Sequence, residues 1–214
     1  MAKYFVLVAG NIGVGKTSLT EKLGEALAWK TAYESVVDNP YLADFYADMA
    51  QWAFHLQVFF LGHRAEQHLA LAKSPESAII DRSIYEDAEI FARTALKLGT
   101  IQQRDFETYH RIYRLVVDNL PRPDLLILLR APTKVLMERI RSRAREMEAG
   151  ITPDYLNLLE SFYDQWMASF DLCPVLTIRT DDLDYVHHPQ HLEIVIQRIN
   201  QQLAGKEEIH FPVE

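Results

Sequence analysis

The stretch from Gly10 to Thr17, G-N-I-G-V-G-K-T, constrains this chain more than any other. An apolar run, Tyr4 to Ala9, precedes it, and a helical pattern, Ser18 to Ala28, follows. Strand, glycine-rich turn and helix form the context in which G-x-x-x-x-G-K-[ST] reads as a phosphate-binding loop. Gly10, Gly13 and Gly15 carry no Cβ, so the backbone can bend and bring its N–H groups against phosphate oxygens. Asn11, Ile12, Val14 and Ser18 complete the cradle around them. The helix behind the loop directs its positive end at the same point. Lys16 supplies a full charge for the β- and γ-phosphates, and the Thr17 hydroxyl suits Mg²⁺. A plain glycine turn opening an ordinary helix leaves the lysine and threonine unexplained. The loop therefore points to a nucleoside triphosphate, without saying what is done with it.

The rest of the chain alternates β and α, which predicts a parallel sheet sandwiched by helices. Strands are expected near 3–9, 31–36, 78–80, 125–129 and 175–178. Helices are expected from the loop to about Trp29, over 49–72, 85–98, 102–119, 133–148 and 153–170, and from about His191. Asn39-Pro40 breaks the chain before a short helix. At 214 residues, with neither repeats nor low-complexity tracts, one α/β domain over 1–214 is the natural size. The net charge of -8 speaks against a broad nucleic-acid footprint. Cys173 is the only cysteine, which excludes an internal disulfide and suits a reducing, cytoplasmic setting. The first apolar stretch is too short for a signal peptide, and no run is long enough to span a membrane.

In such a sheet, ligands lie beyond the carboxyl ends of the strands. The phosphate loop, Glu34 and Asp81 all fall at such ends, so three strand tips should converge on one cleft. Asp81, in D-R-S, suits a metal-binding arm, and Arg82 suits a transferring phosphoryl group. Asp and Ser there also fit a helix cap. A carboxylate at Glu34 could take a proton from an incoming hydroxyl, although a glutamate at a strand end is more often simply solvated. The run Arg139 to Glu148, R-I-R-S-R-A-R-E-M-E, places Arg139 and Arg143 one helical turn apart with Arg145 nearby. Forked bonds to phosphate would make it a lid over about 139–150; a solvated charged helix is the other reading. Gln57 and Arg64 lie two turns apart on one helix face, where they could read a base edge or form an exposed polar stripe. His187, His188 and His191 lack an evident ligand set, and the stretch leads into a helix whose start Pro189 marks. Cys173, before Pro174, reads as a packing residue.

Together these motifs resemble the deoxynucleoside kinase family over nearly the whole chain. The resemblance rests on G-N-I-G-V-G-K-T, N-P-Y-L-A-D-F-Y from Asn39, W-A-F-H-L-Q-V-F-F-L-G-H-R from Trp52, D-R-S-I-Y-E-D-A-E-I-F from Asp81 and the arginine run. It is closest to the bacterial deoxyadenosine and deoxyguanosine kinases. It implies a P-loop kinase fold, with five parallel strands, flanking helices and an arginine-rich lid. It implies ATP and Mg²⁺ as cofactors, a deoxynucleoside as acceptor, nucleotide salvage as the setting, and a homodimer through long helices such as 49–72. Neither nucleic acid nor membrane is expected as a partner. By resemblance, Glu34 is the general base, Arg82 and Lys16 assist catalysis, and Thr17 and Asp81 serve the metal. Gln57 would bond the base, Phe91 would stack on it, and Arg64 with Asp87 would form its polar edge. Tyr46 and Glu148 would hold the 3′-hydroxyl; Arg139, Arg143 and Arg145 would cover ATP, with Asp184 and Tyr185 beside the donor adenine.

The chain departs from the family pattern at Ser35, where proline often follows the catalytic glutamate, and at Val14, where a smaller residue is common. The polar pair favours deoxyadenosine, with deoxyguanosine or deoxycytidine as further acceptors, over thymidine. A nucleoside monophosphate kinase shares loop, sheet and lid but needs more cations near the acceptor than 34–64 offers. A regulatory GTPase needs N-K-x-D and D-x-x-G, and neither string occurs. A non-enzymatic nucleotide sensor would show no acceptor-dependent release of ADP.

Overall fold

The structure is a computed structural model that describes residues 3–33, 39–145, 148–181, 183 and 188–204. Five strands form one parallel sheet: β1 (Phe5–Gly10), β2 (Lys30–Ala32), β3 (Ala78–Asp81), β4 (Leu125–Arg130) and β5 (Val175–Arg179). Their spatial order is β2-β3-β1-β4-β5, with β1 at the centre. The register sets Val8 beside Asp81 on one side and Gly10 beside Leu129 on the other. All of β1 and β3 and most of β4 are buried, as expected of strands covered on both faces. Each fully buried large aliphatic side chain, such as Leu7 or Ile127, adds roughly 1.5–3 kcal/mol.

The helices are α1 (Lys16–Leu27), α2 (Leu42–Ala47), α3 (Met49–Lys73), α4 (Ile84–Glu86), α5 (Arg93–Lys97), α6 (Gln103–Val117), α7 (Thr133–Arg143), α8 (Pro153–Ser169) and α9 (Pro189–Leu203). Their starts follow local chemistry. The Asp48 side chain accepts from the Gln51 N–H at 3.1 Å to open α3. Thr152 caps α8, with Pro153 in its first turn.

Two expected helices differ from the sequence reading. The run expected over 85–98 is helical, but Asp87–Ala92 between α4 and α5 is π-helix. Such wide turns are frequent at functional sites, and this one carries Asp87 and Phe91. The helix expected to reach Glu148 ends at Arg143, because Ala144 turns left-handed at φ 47°. The lid sequence therefore divides between a helix end and the turn beyond it. The second expected strand is described only as far as Ala32, and 34–36 lie outside the described residues.

Candidate active site

Chain order makes a crevice beyond β1 and β3: after β1 the chain builds one side of the sheet, and after β3 it crosses to the other. The phosphate loop leaves β1 at that point. Gly10 has φ 142°, and a Cβ there would stand 2.5 Å from the Leu129 carbonyl oxygen. Gly13, at φ 80°, passes so close to α7 that a Cβ would lie 2.9 Å from Ile140. Only glycine fits either position. The Lys16 ammonium, mostly buried, donates to the Gly10 carbonyl at 2.7 Å and the Asn11 carbonyl at 3.0 Å. Asn11 anchors the loop to α8, donating to the Leu156 carbonyl (2.9 Å) and to Glu160 (3.1 Å). Its own side-chain oxygen accepts the Ile12 N–H at 2.8 Å.

Asp81 ends β3 beside the loop. The Thr17 hydroxyl donates to its carboxylate at 2.5 Å, so two hard oxygen ligands already meet at the mouth of the loop. That donor pair fits Mg²⁺, which takes few protein oxygens and completes its shell with water and phosphate. Among the described residues no group of three or more His, Cys, Asp or Glu side chains gathers as a metal centre. Arg82 follows with φ 68°, an unusual conformation for a side-chain-bearing residue. Its guanidinium sits 4.3 Å from the centre of the Phe91 ring. Phe91 thus has one face against a cation, and the left-handed turn aims that cation.

Behind these residues lies the expected base edge. Arg64 is buried in α3, and its Nε donates to Asp87 at 3.1 Å. Its Nη1 reaches the Asp81 carbonyl at 3.4 Å, tying the Arg64–Asp87 pair to the end of β3. Gln57, two turns earlier, has a buried amide oxygen with no hydrogen-bond partner among the described residues. A buried acceptor left open on the same helix face is what a ligand-reading amide requires. Tyr109 of α6 lies near Asp87; its buried hydroxyl has no hydrogen-bond partner among the described residues, and burial with the nearby Asp87 charge pushes its pKa well up.

The arginines of the lid divide. Arg139 donates to the Val14 carbonyl at 3.2 Å and the Thr180 hydroxyl at 2.9 Å, and also to the Thr180 carbonyl. It therefore ties α7 to the phosphate loop and to the end of β5. Arg143 forms a two-pronged pair with Glu148 at 2.6 and 2.7 Å, and Arg145 approaches the same carboxylate at 3.8 Å. Glu148, expected at the 3′-hydroxyl, holds lid arginines in the structure. Tyr46 is exposed beside Phe45, with 5.5 Å between ring centres. Ser18 is half-buried in the first turn of α1. Glu34, Asp184 and Tyr185 lie outside the described residues, as does His187. Cys173 is half-buried in apolar surroundings, which push its thiol up to about 12 and fit packing rather than reactivity.

Sequence reasoning gave no role to Glu86, Tyr163 or Thr180. Glu86 is completely buried under the loop. Its Oε1 accepts the Gly10 N–H (3.2 Å) and lies 2.7 Å from the Tyr163 hydroxyl; its Oε2 accepts the Ser83 N–H (3.0 Å). Burial pushes this carboxyl up, while Lys16, Arg82 and the hydrogen bonds oppose the rise. The signal was present: Ser83 and Glu86 form the reciprocal S-x-x-E pairing that opens a helix.

A family model described as deoxynucleoside kinase matches residues 6–204. The chain belongs to the deoxynucleoside kinase family. It is 37% identical over 196 residues to a deoxyadenosine/deoxycytidine kinase of Bacillus subtilis, covering 91% of this chain and 90% of the relative. It is 34% identical over 207 residues to a deoxyguanosine kinase of Lactobacillus acidophilus, covering 92% and 90%. Among solved structures it resembles a deoxyadenosine kinase from M. mycoides with the products dCMP and a flexible dCDP bound. That match has a TM-score of 0.78 and 30% identity over 92% of this chain and 99% of the other. The same M. mycoides enzyme with dATP bound also gives a TM-score of 0.78, at 29% identity over the same shares of the two chains. As a deoxynucleoside kinase the chain is a nucleotide-binding phosphotransferase, and its five-stranded sheet is the P-loop kinase fold. Among the described residues of this deoxynucleoside kinase, no helix is long and apolar enough to cross a membrane.

Proposed function

We propose that the chain transfers the γ-phosphoryl group of ATP to the 5′-hydroxyl of a deoxynucleoside, deoxyadenosine first, with deoxycytidine and deoxyguanosine as further acceptors. The observation that carries the acceptor class is the buried Arg64–Asp87 pair together with the open amide oxygen of Gln57 two turns earlier on α3. A purine or cytosine edge offers donors and acceptors to such fixed groups, whereas a base that leaves them unpaired is rejected. The B. subtilis and M. mycoides relatives, named for deoxyadenosine or deoxycytidine, support the same order.

In the proposed reaction Glu34 accepts the proton of the 5′-hydroxyl. The 5′-oxygen bonds to the γ-phosphorus as the bond to the β–γ bridging oxygen breaks, and that electron pair leaves with ADP. Lys16 and Arg82 offset the charge on the phosphoryl oxygens. Thr17 and Asp81 would hold Mg²⁺, which when bound neutralises part of the triphosphate charge. Arg143 and Arg145 would exchange Glu148 for ATP phosphates as the lid over 139–150 closes, freeing Glu148 for the sugar 3′-hydroxyl with Tyr46. Phe91 would stack on the base. Arg139 would serve ATP from its place on the loop, beside Asp184 and Tyr185.

The reading extends to one catalytic domain over 1–214, a cytoplasmic setting and a homodimer. Exposed Val58 on α3, and Ile112 and Leu115 on α6, leave apolar side chains outward on two packed helices, which supports pairing with a second copy. Replacing the general base tests the assignment: Glu34→Gln should lower turnover about 10²–10⁴-fold, with nucleoside affinity nearly unchanged by calorimetry. Near-normal turnover in that variant would remove Glu34 from its role.

A further inference from the structure

The Tyr163 hydroxyl faces two oxygens at hydrogen-bonding distance, the Gly10 carbonyl at 2.8 Å and Glu86 Oε1 at 2.7 Å. A phenol has one proton. If Glu86 were ionised, both neighbours would be pure acceptors, and one short contact would set bare oxygen against bare oxygen in the core. A proton on Glu86 removes that conflict. The carboxylic O–H then donates to Tyr163, and the Tyr163 O–H donates to Gly10. Lys16 fills the second lone pair of the same carbonyl at 2.7 Å, so every polar atom of the cluster is satisfied. Oε2 still accepts the Ser83 N–H, and Oε1 still accepts the Gly10 N–H.

We propose that Glu86 is a positioning residue that works as a neutral carboxylic acid, relaying a proton-ordered chain through Tyr163 to the first glycine of the phosphate loop. Gly10 is then held at both its N–H and its C=O. The same side chain fixes Ser83 beside Arg82 and directly precedes Asp87 of the base edge, so one group aligns the phosphate cradle with the acceptor pocket. Neutrality has a catalytic consequence: no carboxylate beneath the loop offsets the ammonium of Lys16, whose charge acts in full on the phosphoryl oxygens.

The charged and titratable groups facing Glu86 come from α1, from the turn after β3 and from α8. Lys16 on α1 and Arg82 after β3 favour its ionised form, as does the Gly10 N–H, and so would a Tyr163 O–H turned toward it. Glu160 on α8 acts on Tyr163 in the same sense as Glu86. Complete burial opposes ionisation and is the largest influence.

The test is infrared spectroscopy of the intact chain with pH-dependent kinetics. At neutral pH the wild type should show the carbonyl stretch of a protonated carboxylic acid, lost in Glu86→Gln. Glutamine keeps a donor toward Tyr163 and an acceptor for Ser83, giving up only the long Gly10 bond. Its kcat/KM for ATP should fall less than about tenfold, whereas Glu86→Ala should fall about 100-fold. The wild-type profile should carry an alkaline limb, as Glu86 ionises, that Glu86→Gln lacks. Absence of the carboxylic band, or a glutamine variant as impaired as alanine, would overturn the proposal. Should the glutamine variant not fold, loss of the band on raising the pH of the wild type decides alone. The infrared readout does not depend on which nucleoside is the acceptor.

Discussion

Two ion pairs in this molecule have the same chemistry and opposite settings. Arg64–Asp87, at the expected base edge, has side chains 1% and 5% exposed; Arg143–Glu148, in the lid, has 34% and 11%. The buried pair cannot be opened cheaply, because breaking it strands a charge in the core. It is suited to being read as a fixed feature. The lid pair sits at the surface, where water and salt screen it and its partners can be exchanged at little cost. Under the proposed function, recognition of the base would rest on a contact that stays, and closure over phosphate on one that changes. Arg139 belongs with the first kind, since it bonds the loop and Thr180 rather than a lid carboxylate.

The largest expected effect comes from breaking the buried pair. Arg64→Leu removes the buried cation that Asp87 is bonded to and should cost about 3–5 kcal/mol in urea unfolding. An unfolding free energy within 1 kcal/mol of wild type, by the same rule, would equate the two pairs. The double variant Arg64→Leu with Asp87→Leu sharpens the point. Its stability should recover to within about 2 kcal/mol of wild type, while deoxynucleoside affinity measured by calorimetry stays lost.

The lid pair should respond the other way. Arg143→Ala should move stability by no more than about 1 kcal/mol, yet raise the KM for ATP roughly tenfold. A large loss of stability with unchanged KM would make Arg143 a structural residue.

The smallest effect concerns His68, buried on the far part of α3 with Nε2 2.7 Å from the Pro121 carbonyl. Burial holds its pKa below 6.5, against the opposing hydrogen bond to Pro121. The unfolded chain then binds a proton more readily than the native one. This contribution is fully present above about 6.5 and is lost as pH falls toward the lowered native value. The slope of unfolding free energy below that pH should flatten in His68→Gln.

The pattern of these contacts explains what could be read in the residues. The phosphate loop and the five strands were legible because glycine spacing and continuous apolar runs are local signals. The pairing of Arg64 with Asp87 became an expectation only through family resemblance, since 23 positions separate them. The π-helical turn at Asp87–Ala92 has no residue signature distinct from an ordinary helix. Glu86 was hidden differently: its capping-box spacing was visible, but its bonds to Gly10 and Tyr163 span 76 and 77 positions. The early end of α7 turns on Ala144, a residue that by itself favours helix.

The most direct test is ATP-dependent phosphorylation measured by coupled release of ADP across the four deoxynucleosides, with Mg²⁺ present and deoxyadenosine monophosphate as a fifth acceptor. The account predicts the highest kcat/KM for deoxyadenosine, lower values for deoxycytidine and deoxyguanosine, the lowest for thymidine, and none for the monophosphate. Release of ADP that ignores every nucleoside, or a preference for the monophosphate, would contradict it.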